Sequence, residues 1–460
     1  MRRMALALLR AIGRMGSTSL YSRISACLPK ALKARVHRSL LSAAAGPQTT
    51  LVFPAGARDS QGEPASTPMP QAVAVPQEVL QGHGVNLIGY VRGGLGLAEN
   101  VRSFARALRA RRFPMALIDA NVLEESRNTD DSLAPDTERD AQHEIDVFFV
   151  NPDQLRDAIQ AVRGSDAHYR IGYWFWELEE IPEQWLPSID LVDEIWVSSE
   201  FVKAAFAKVT DKPITLIPMA VEVDTSQLSG VKRGESEAGP FTFLFNFDFH
   251  SYVERKNPCA LIDAFRLAFP AERSDVRLII KSINGELFRR QYYQLLSRAA
   301  EDRRIVVSDG FVSRHQMLEL VNGVDAYVSL HRSEGFGLGL AESMYLGKAV
   351  IGTGYSGNLE FMKSDNSCLV DFSMTRLRQG DYVYGEGQYW ANPNIEDAAR
   401  YMRKLADEPE FGSALGHRAA EYMRLHHSHK QSSDVAIRRL QQIQRKLGLE
   451  VAVAEKIGEQ

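Results

Sequence analysis

Cysteine is scarce in this sequence, and long apolar runs are absent. Of the 460 residues only three are cysteines, Cys27, Cys259 and Cys368, and they lie far apart with no C-x-x-C spacing. This scarcity argues against a disulfide framework or a zinc site and favours a reducing compartment. No run of about 18 uncharged apolar residues occurs, so we expect no transmembrane helix. The expected location is the cytoplasm.

The chain also lacks a strong excess of one charge. Its 54 Lys and Arg stand against 58 Asp and Glu, which gives a formal net charge of −4. Such a balance gives no reason to expect nucleic acid as a partner. The apolar fraction of 45% and the charged fraction of 24% are typical of globular proteins, and the length allows two sizeable cores.

Acidic residues are missing from the first 58 positions, which are rich in lysine and arginine. Three interpretations stay open: a basic amphipathic segment on the anionic inner face of the cytoplasmic membrane, a targeting presequence, or a plain tail. The following stretch, residues 44–81, is rich in Pro, Gly, Ala, Ser and Gln and is interpreted as a linker. We assign residues 1–81 to this basic segment and linker.

Short apolar segments alternate with helical patterns twice along the chain. The first series includes GVNLIGYV, IDVFFVN and EIWVSS, and the helix SEFVKAAFAKV follows with Ser199 as its expected N-cap. A polar hinge at residues 230–240 comes next. The pattern then restarts with the strand FTFLFNFDF and a helix that carries Pro258 in its first turn. Strands that alternate with helices predict parallel sheets covered on both faces.

This pattern predicts an α/β protein with two Rossmann-like domains, at residues 82–235 and 236–405. Helices at residues 406–460 are expected to pack back across them. Two such domains would leave a cleft at the carboxyl ends of their strands, where ligands of open α/β sheets bind.

The segment HRSEGFGLGLAES places two glutamates, Glu334 and Glu342, on either side of a glycine-rich turn. A strand is predicted to end near Leu330 and a helix to begin near Leu338. Glycines let the loop backbone approach a ligand, and the helix start presents N–H groups to an anion such as phosphate. Because the two oxygens of a carboxylate match adjacent hydroxyls, we expect Glu342 to bind a ribose and Glu334 a sugar attached to the phosphates.

This E-x7-E pattern resembles the signature of retaining glycosyltransferases of the GT-B fold in the large family 4. The resemblance runs from about residue 84 to the C-terminal helix. The segments FDFHSYVERKNPCALIDAF, SLHRSEGFGL and GTGYSGNLEFM are similar in particular to the bacterial branch that builds O-antigen and capsule polysaccharides. The resemblance implies that a hexose is transferred, with retention of configuration, from a nucleotide diphosphate sugar to a glycan or lipid-linked acceptor. GDP-mannose is the favoured donor.

Negative charge develops on the leaving diphosphate and needs a counter-charge. No D-x-D pair stands at a strand end, so we expect no essential metal; we also expect no cofactor. The expected cations are Arg255 and Lys256, with Lys281 in addition. The resemblance implies an arginine and a lysine in the loop after the first strand of this domain. Lys256 matches the lysine, but His250 or Ser251 stands where the arginine is usual, so Arg255 or Lys281 is expected to substitute.

The catalytic residues expected from motif and resemblance are therefore Glu334, Lys256 and Arg255. Glycines in YVRGGLGLAEN are expected beneath the phosphates; this motif lacks the G-x-G-x-x-G spacing of a nicotinamide site. The expected donor-binding residues are Glu342, Gly335, Phe336, Gly337, Leu338, Lys281, Gly93, Gly94 and Asn358.

Several residues keep two interpretations. The tryptophans Trp174, Trp176 and Trp185 are expected either to stack on an acceptor sugar or to fill a core. Asn358 is either a helix N-cap or a hydroxyl contact, and His331 is either functional or a core histidine satisfied by backbone.

The mechanism implied by the resemblance is a front-face transfer, in which Glu334 positions the sugar and the leaving phosphate takes the acceptor proton. Two rival interpretations remain. One is a phosphorylase with pyridoxal phosphate, although no feature of the sequence requires that cofactor. The other is a non-catalytic sugar-nucleotide scaffold of the same fold.

Overall fold

The computed structural model describes residues 83–94, 96–120, 130–164, 167, 169–228 and 239–449. The chain divides into two compact units. The carboxy-terminal unit comprises the described residues within Val223–Glu421, and the amino-terminal unit comprises those up to Glu222 together with those from Tyr422 onward. The predicted segment 1–81 and most of the predicted hinge lie outside the described residues.

The amino-terminal unit contains a seven-stranded parallel sheet in the order β3-β2-β1-β4-β5-β6-β7. Its strands are β1 (Val85–Gly89), β2 (Met115–Asp119), β3 (Thr137–Glu138), β4 (Ile145–Phe149), β5 (Tyr169–Tyr173), β6 (Glu194–Val197) and β7 (Ile214–Leu216). Its helices are α1 (Gly96–Ala110), α2 (Leu155–Ala161), α3 (Leu186–Ile189), α4 (Glu200–Phe206) and, from the C-terminal end of the chain, α12 (His429–Lys446).

Strands β1 and β4 are buried along their whole length, as expected for a parallel sheet covered on both faces. Helix α12 packs on helix α1, and apolar side chains of both helices join the core of this unit. An ion pair between Arg439 and the buried Glu194, at 2.6 Å, also connects α12 to the sheet. The predicted cap of α4 is confirmed, because the Ser199 side chain accepts a hydrogen bond from the backbone N–H of Val202.

The carboxy-terminal unit contains a six-stranded parallel sheet in the order β10-β9-β8-β11-β12-β13 and a separate antiparallel hairpin. The strands are β8 (Phe241–Asp248), β9 (Val276–Ile283), β10 (Ile305–Asp309), β11 (Ala326–Ser329), β12 (Ala349–Thr353), β13 (Cys368–Val370), β14 (Phe372–Arg376) and β15 (Tyr389–Pro393). The helices are α5 (Val253–Lys256), α6 (Pro258–Ala268), α7 (Arg289–Ala299), α8 (Arg314–Asn322), α9 (Leu338–Tyr345), α10 (Ile395–Asp407) and α11 (Pro409–His426). The last turn of α11, from Tyr422, is assigned to the amino-terminal unit.

The predicted alternation of strands and helices is confirmed in both units, and α6 begins at Pro258 as expected. Strand β11 lies between β8 and β12, although long crossovers separate the three in sequence. The loops that follow these strands therefore meet at one edge of the sheet. Within the described ranges, none of the helices has the length and apolarity needed to cross a bilayer.

Candidate active site

Three charged side chains meet where strands β8 and β11 end. Glu334 lies in the loop between β11 and α9, and Arg255 and Lys256 lie in the short helix α5 that follows β8. One carboxylate oxygen of Glu334 is 3.0 Å from Nη1 of Arg255, and the other is 2.5 Å from Nζ of Lys256. The structure thus joins the three predicted catalytic residues in one cluster, the charge triad.

The charge triad keeps Glu334 ionised. Burial by itself would raise the pKa of this carboxyl, but the positive charges of Lys256 and Arg255 outweigh burial and bring the pKa down to about 2. A carboxylate with so low a pKa accepts hydrogen bonds and holds no proton to donate near neutral pH.

The two cations of the triad differ in their surroundings. Arg255 is 4% exposed, and its guanidinium also donates to the carbonyl oxygens of Ser333 (2.9 Å) and Ser251 (3.1 Å). The ring of Tyr382, from the β14–β15 connection, lies 5.7 Å from its Cζ. The Lys256 side chain is 18% exposed. Arg255 therefore braces the loops around Glu334, whereas Lys256 is the cation better placed to meet a ligand.

The glycine loop ends in helix α9, which begins at Leu338 as predicted. Gly337 has φ = 98°, in the left-handed region, at the position that precedes the helix. The side chain of Phe336 is buried against Phe361, with ring centroids 4.9 Å apart. Phe336 thus presents only its backbone to a ligand, as does Gly335.

Glu342 lies in the second turn of α9 and is 8% exposed. Its carboxylate is 2.7 Å from Nη1 of Arg314, the first residue of α8. Burial raises the pKa of the Tyr327 phenol, and the charges of Glu334 and Glu342 raise it further, so both glutamates lie near that buried group. Arg314 was missed from the sequence; its only signal was the capping box formed by Ser313 and Gln316.

The ammonium of Lys281 bonds to backbone carbonyls outside the charge triad. Lys281 lies within β9, is 3% exposed, and its ammonium donates to the carbonyl oxygens of Ser282 (2.9 Å) and Gly310. Burial lowers the pKa of this lysine. The expectation that Lys281 substitutes for the usual arginine thus gains no support from its contacts. His250 and Ser251 lie in a single 3-10 turn before α5.

Asn358 lies inside the 3-10 helix Gly357–Glu360, so the N-cap interpretation is wrong. Its side chain is fully buried and binds Nε2 of His331 (3.0 Å) and the carbonyl oxygen of Thr353 (2.9 Å). These contacts commit the amide to protein groups instead of sugar hydroxyls. His331 is a buried histidine, but side chains satisfy it and not the backbone.

In the amino-terminal unit, Gly93 closes a turn that begins at Tyr90, and Gly94 follows it before α1. Arg102 of α1 donates from one guanidinium nitrogen to the carbonyl oxygens of Val91 (2.9 Å) and Gly93 (2.8 Å). The same arginine pairs with Glu99 at 2.9 Å. The helix therefore fixes the backbone of this turn; Gly93 is buried and Gly94 is exposed.

The three tryptophans of the aromatic segment are core residues. Trp174, Trp176 and Trp185 are at most 2% exposed, and the rings of Trp176 and Trp185 pack 4.6 Å apart. The core interpretation is therefore the one that the structure supports. Across the described part of the chain, no three His, Cys, Asp or Glu side chains are grouped in a way that would hold a metal ion.

Residues 247–422 match the family model described as "Glycosyl transferases group 1". This segment carries the charge triad, Glu342 and Arg314, and the match supports a glycosyltransferase. No match to a curated protein was found.

Several solved structures of bacterial proteins have a similar fold. Anabaena HepE in complex with UDP-glucose gives a TM-score of 0.53 at 13% identity, over 78% of this chain and 100% of that chain. Sucrose-phosphate synthase from Thermosynechococcus elongatus gives a TM-score of 0.52 at 14% identity, over 80% of this chain and 99% of that chain. S. aureus TarM gives 0.48 at 12% identity; 64% of this chain is covered but only 54% of TarM, so the chain spans about half its length. The fold is GT-B, with two Rossmann-like domains.

Proposed function

We propose that the protein is a retaining glycosyltransferase that moves a hexose from a nucleotide diphosphate sugar to a hydroxyl of a glycan or lipid-linked acceptor in surface polysaccharide synthesis. The observation that carries the proposal is the charge triad. It holds two cations and one ionised carboxylate at the carboxyl edge of the sheet, where ligands of α/β domains bind.

Each member of the triad has a separate role in this reaction. Lys256 turns from Glu334 to the diphosphate as the donor binds and stabilises the charge that develops on the leaving β-phosphate. The released oxygen of Glu334 then accepts hydrogen bonds from sugar hydroxyls. Arg255 remains beside Glu334 and keeps the carboxylate ionised, because a guanidinium does not lose its proton in proteins.

The transfer itself needs no protein nucleophile. The bond between the anomeric carbon and the β-phosphate oxygen breaks, the bond to the acceptor oxygen forms on the same face, and the leaving phosphate takes the acceptor proton. A carboxylate that stays paired with Arg255 and accepts hydrogen bonds from sugar hydroxyls is a poor nucleophile, and without a proton it cannot act as an acid. These properties suit Glu334 to positioning the sugar and favour the front-face path over a covalent intermediate.

Glu342 is the proposed ligand of the ribose hydroxyls, and its ion pair with Arg314 holds it in place. GDP-mannose remains the first donor to test because of the resemblance of the site segments. UDP-glucose is the alternative, since HepE, with a similar fold, binds it.

The test is a thermal-shift screen of GDP, UDP, ADP and their common sugars on the parent protein and on Glu342→Ala. A ligand at a hundred times its Kd stabilises by about 2.7 kcal/mol. We expect one nucleotide class to stabilise the parent and not the variant. The anomeric configuration of the product, followed by NMR from the first turnovers, then decides between retention and inversion. If a nucleotide stabilises the parent but no sugar is transferred, the protein is the non-catalytic sugar-nucleotide scaffold; if no nucleotide stabilises it, the proposed donor site is wrong.

Peripheral membrane contact through the basic N-terminal segment is part of this proposal, because a lipid-linked acceptor lies at the membrane. The motivating feature is the absence of acidic residues before Asp59. Liposomes with anionic lipid should pellet the full chain more strongly than a chain without residues 1–58, and less so at high salt. Equal pelleting of the two chains would reject the contact.

A further inference from the structure

A closed set of buried hydrogen bonds joins the end of β11 to the segment that follows β12. Ser329 Oγ lies 3.1 Å from Nδ1 of His331, and Nε2 of His331 lies 3.0 Å from Oδ1 of Asn358. Asn358 Nδ2 donates to the carbonyl oxygen of Thr353 at 2.9 Å, and the Thr353 hydroxyl donates to the carbonyl oxygen of His331 at 2.6 Å. All four residues are at most 3% exposed. We call them the histidine network.

The direction of each hydrogen bond in the network follows from its partners. A carbonyl oxygen only accepts, so the amide nitrogen of Asn358 faces Thr353 and the amide oxygen faces His331. His331 therefore carries its proton on Nε2, and Nδ1 accepts from the Ser329 hydroxyl. The imidazole is neutral, in agreement with burial, which lowers the pKa of His331 against the opposing effect of Glu334.

The network adjoins the two residues that hold Glu334. Ser356 Oγ accepts a hydrogen bond from the backbone N–H of Glu334 at 2.8 Å. The backbone N–H of Gly357 donates to the carbonyl oxygen of Glu334, also at 2.8 Å. A Cβ atom at Gly357 would lie 2.0 Å from the carbonyl oxygen of Gly335, so the two backbones are in close contact. Asn358 is the next residue along the chain.

The backbone that holds Glu334 is strained. Ser356 has φ = 76°, a conformation that L-residues seldom adopt. Such a residue costs of order 1–3 kcal/mol and persists only where its surroundings determine it from several sides. The bonds from Asn358 to His331 and Thr353 provide that constraint two residues after the strained Ser356.

We infer that His331 and Asn358 are positioning residues for the transfer: they fix residues 356–357 against the end of β11 and so hold the Glu334 carboxylate at the reacting sugar. The inference rests on the proposed function. Loss of the network should let Glu334 move, and a misplacement of about 1 Å can cost about 100-fold in rate. Binding of the nucleotide through Glu342 should be unaffected, because that residue lies on a separate helix.

The test is a double-mutant cycle of Asn358→Ala with Glu334→Gln, measured as kcat/KM with the donor that the screen identifies. We expect Asn358→Ala to lower kcat/KM about 100-fold in the parent and less than about 3-fold in Glu334→Gln, since residues that act through one another are not additive. The Kd of the free nucleotide should change less than about 3-fold. Equal losses in both backgrounds, or an equal loss of nucleotide affinity, would overturn the inference.

Matched variants separate positioning from general stability. Asn366 is also buried, and its side chain bonds the backbone of Lys363 and Phe361, which lie outside the histidine network. We expect Asn366→Ala to lower the Tm and leave kcat/KM within about 3-fold. His331→Gln keeps an amide N–H for Asn358 and should retain more activity than the apolar His331→Leu.

A milder variant and the activity of the parent protein serve as the remaining controls. If Asn358→Ala does not fold, the near-isosteric Thr353→Val removes one hydrogen bond of the network and takes its place in the cycle. A parent protein that transfers no sugar from any donor would remove the proposed function and the inference together. Turnover by the parent with an additive cycle would overturn the inference alone.

Discussion

The ammonium of Lys256 lies 2.5 Å from a carboxylate oxygen of Glu334, although the two residues are 78 positions apart in the chain. The contact exists because strands β8 and β11 are neighbours in the sheet and the loops after them meet at its carboxyl edge. The pair satisfies a buried carboxylate. It also keeps a cation ready where a diphosphate is proposed to bind, and the predictions below test the two functions of this pair.

Replacing Lys256 by alanine should abolish most of the activity. If Lys256 stabilises the leaving phosphate, Lys256→Ala lowers kcat by about 10²–10³, the usual cost of losing one electrostatic stabiliser of a transition state. Initial rates at saturating donor measure this. The control is Lys203→Ala, an exposed lysine paired with Glu200, which should leave kcat unchanged. A Lys256→Ala variant with the parent kcat would contradict the assigned role.

The low pKa of Glu334 predicts a pH-dependent contribution to stability. The folded-state pKa of about 2 lies below the ordinary value of 4.5, so the stabilisation is complete above about pH 5 and is lost as the pH falls through the folded pKa. The total contribution is about 3 kcal/mol. The difference in unfolding free energy between the parent and Glu334→Gln should therefore shrink by about 2 kcal/mol between pH 6 and pH 3.

Urea unfolding at several pH values measures this difference, with the exposed Glu183→Gln as the control variant. A gap between parent and Glu334→Gln that stays constant over the range would mean that the carboxyl titrates alike in the folded and unfolded chains.

The ion pair between Arg314 and Glu342 should matter for nucleotide affinity more than for stability. The Arg314 side chain is 32% exposed, so Arg314→Ala should lower the free energy of unfolding by about 1 kcal/mol or less. It should raise the Kd of the nucleotide about 10-fold, because Glu342 loses the group that orients it. Calorimetric titration measures the Kd of the nucleotide for the parent and for Arg314→Ala. Arg400→Ala, which removes an exposed pair with Asp397, should leave the Kd as it is.

A single methyl group at Gly357 should disrupt the loop that holds Glu334. Its Cβ would lie 2.0 Å from the carbonyl oxygen of Gly335, a distance that backbone atoms cannot accept without moving. Gly357→Ala should lower the Tm and reduce kcat by about 100-fold or more. Gly412→Ala is the matched control in helix α11, because its Cβ would meet Leu405 at an ordinary 3.4 Å. The free energy of unfolding of Gly412→Ala should equal that of the parent or exceed it by up to about 1 kcal/mol.

Local sequence patterns determined much of this molecule. Alternating apolar and helical segments predicted two parallel α/β sheets, since a strand buried on both faces must be a short apolar run. The cap at Ser199, the helix start at Pro258 and the glycine loop before Leu338 were also predictable, because each depends on one residue and its immediate neighbours in the chain. The roles assigned to Glu334, Glu342 and Lys256 stay predictions that rest on motif and chemistry.

The tertiary structure alone decided how the site residues pair. Strand order sets β11 beside both β8 and β12, and only this non-local arrangement brings Lys256 to Glu334 and Asn358 to His331. Periodicity along a chain carries no information about which strands become neighbours. The pairing of Arg314 with Glu342 and the burial of Lys281 were hidden for the same reason, because a side chain's partner and exposure depend on elements distant in sequence.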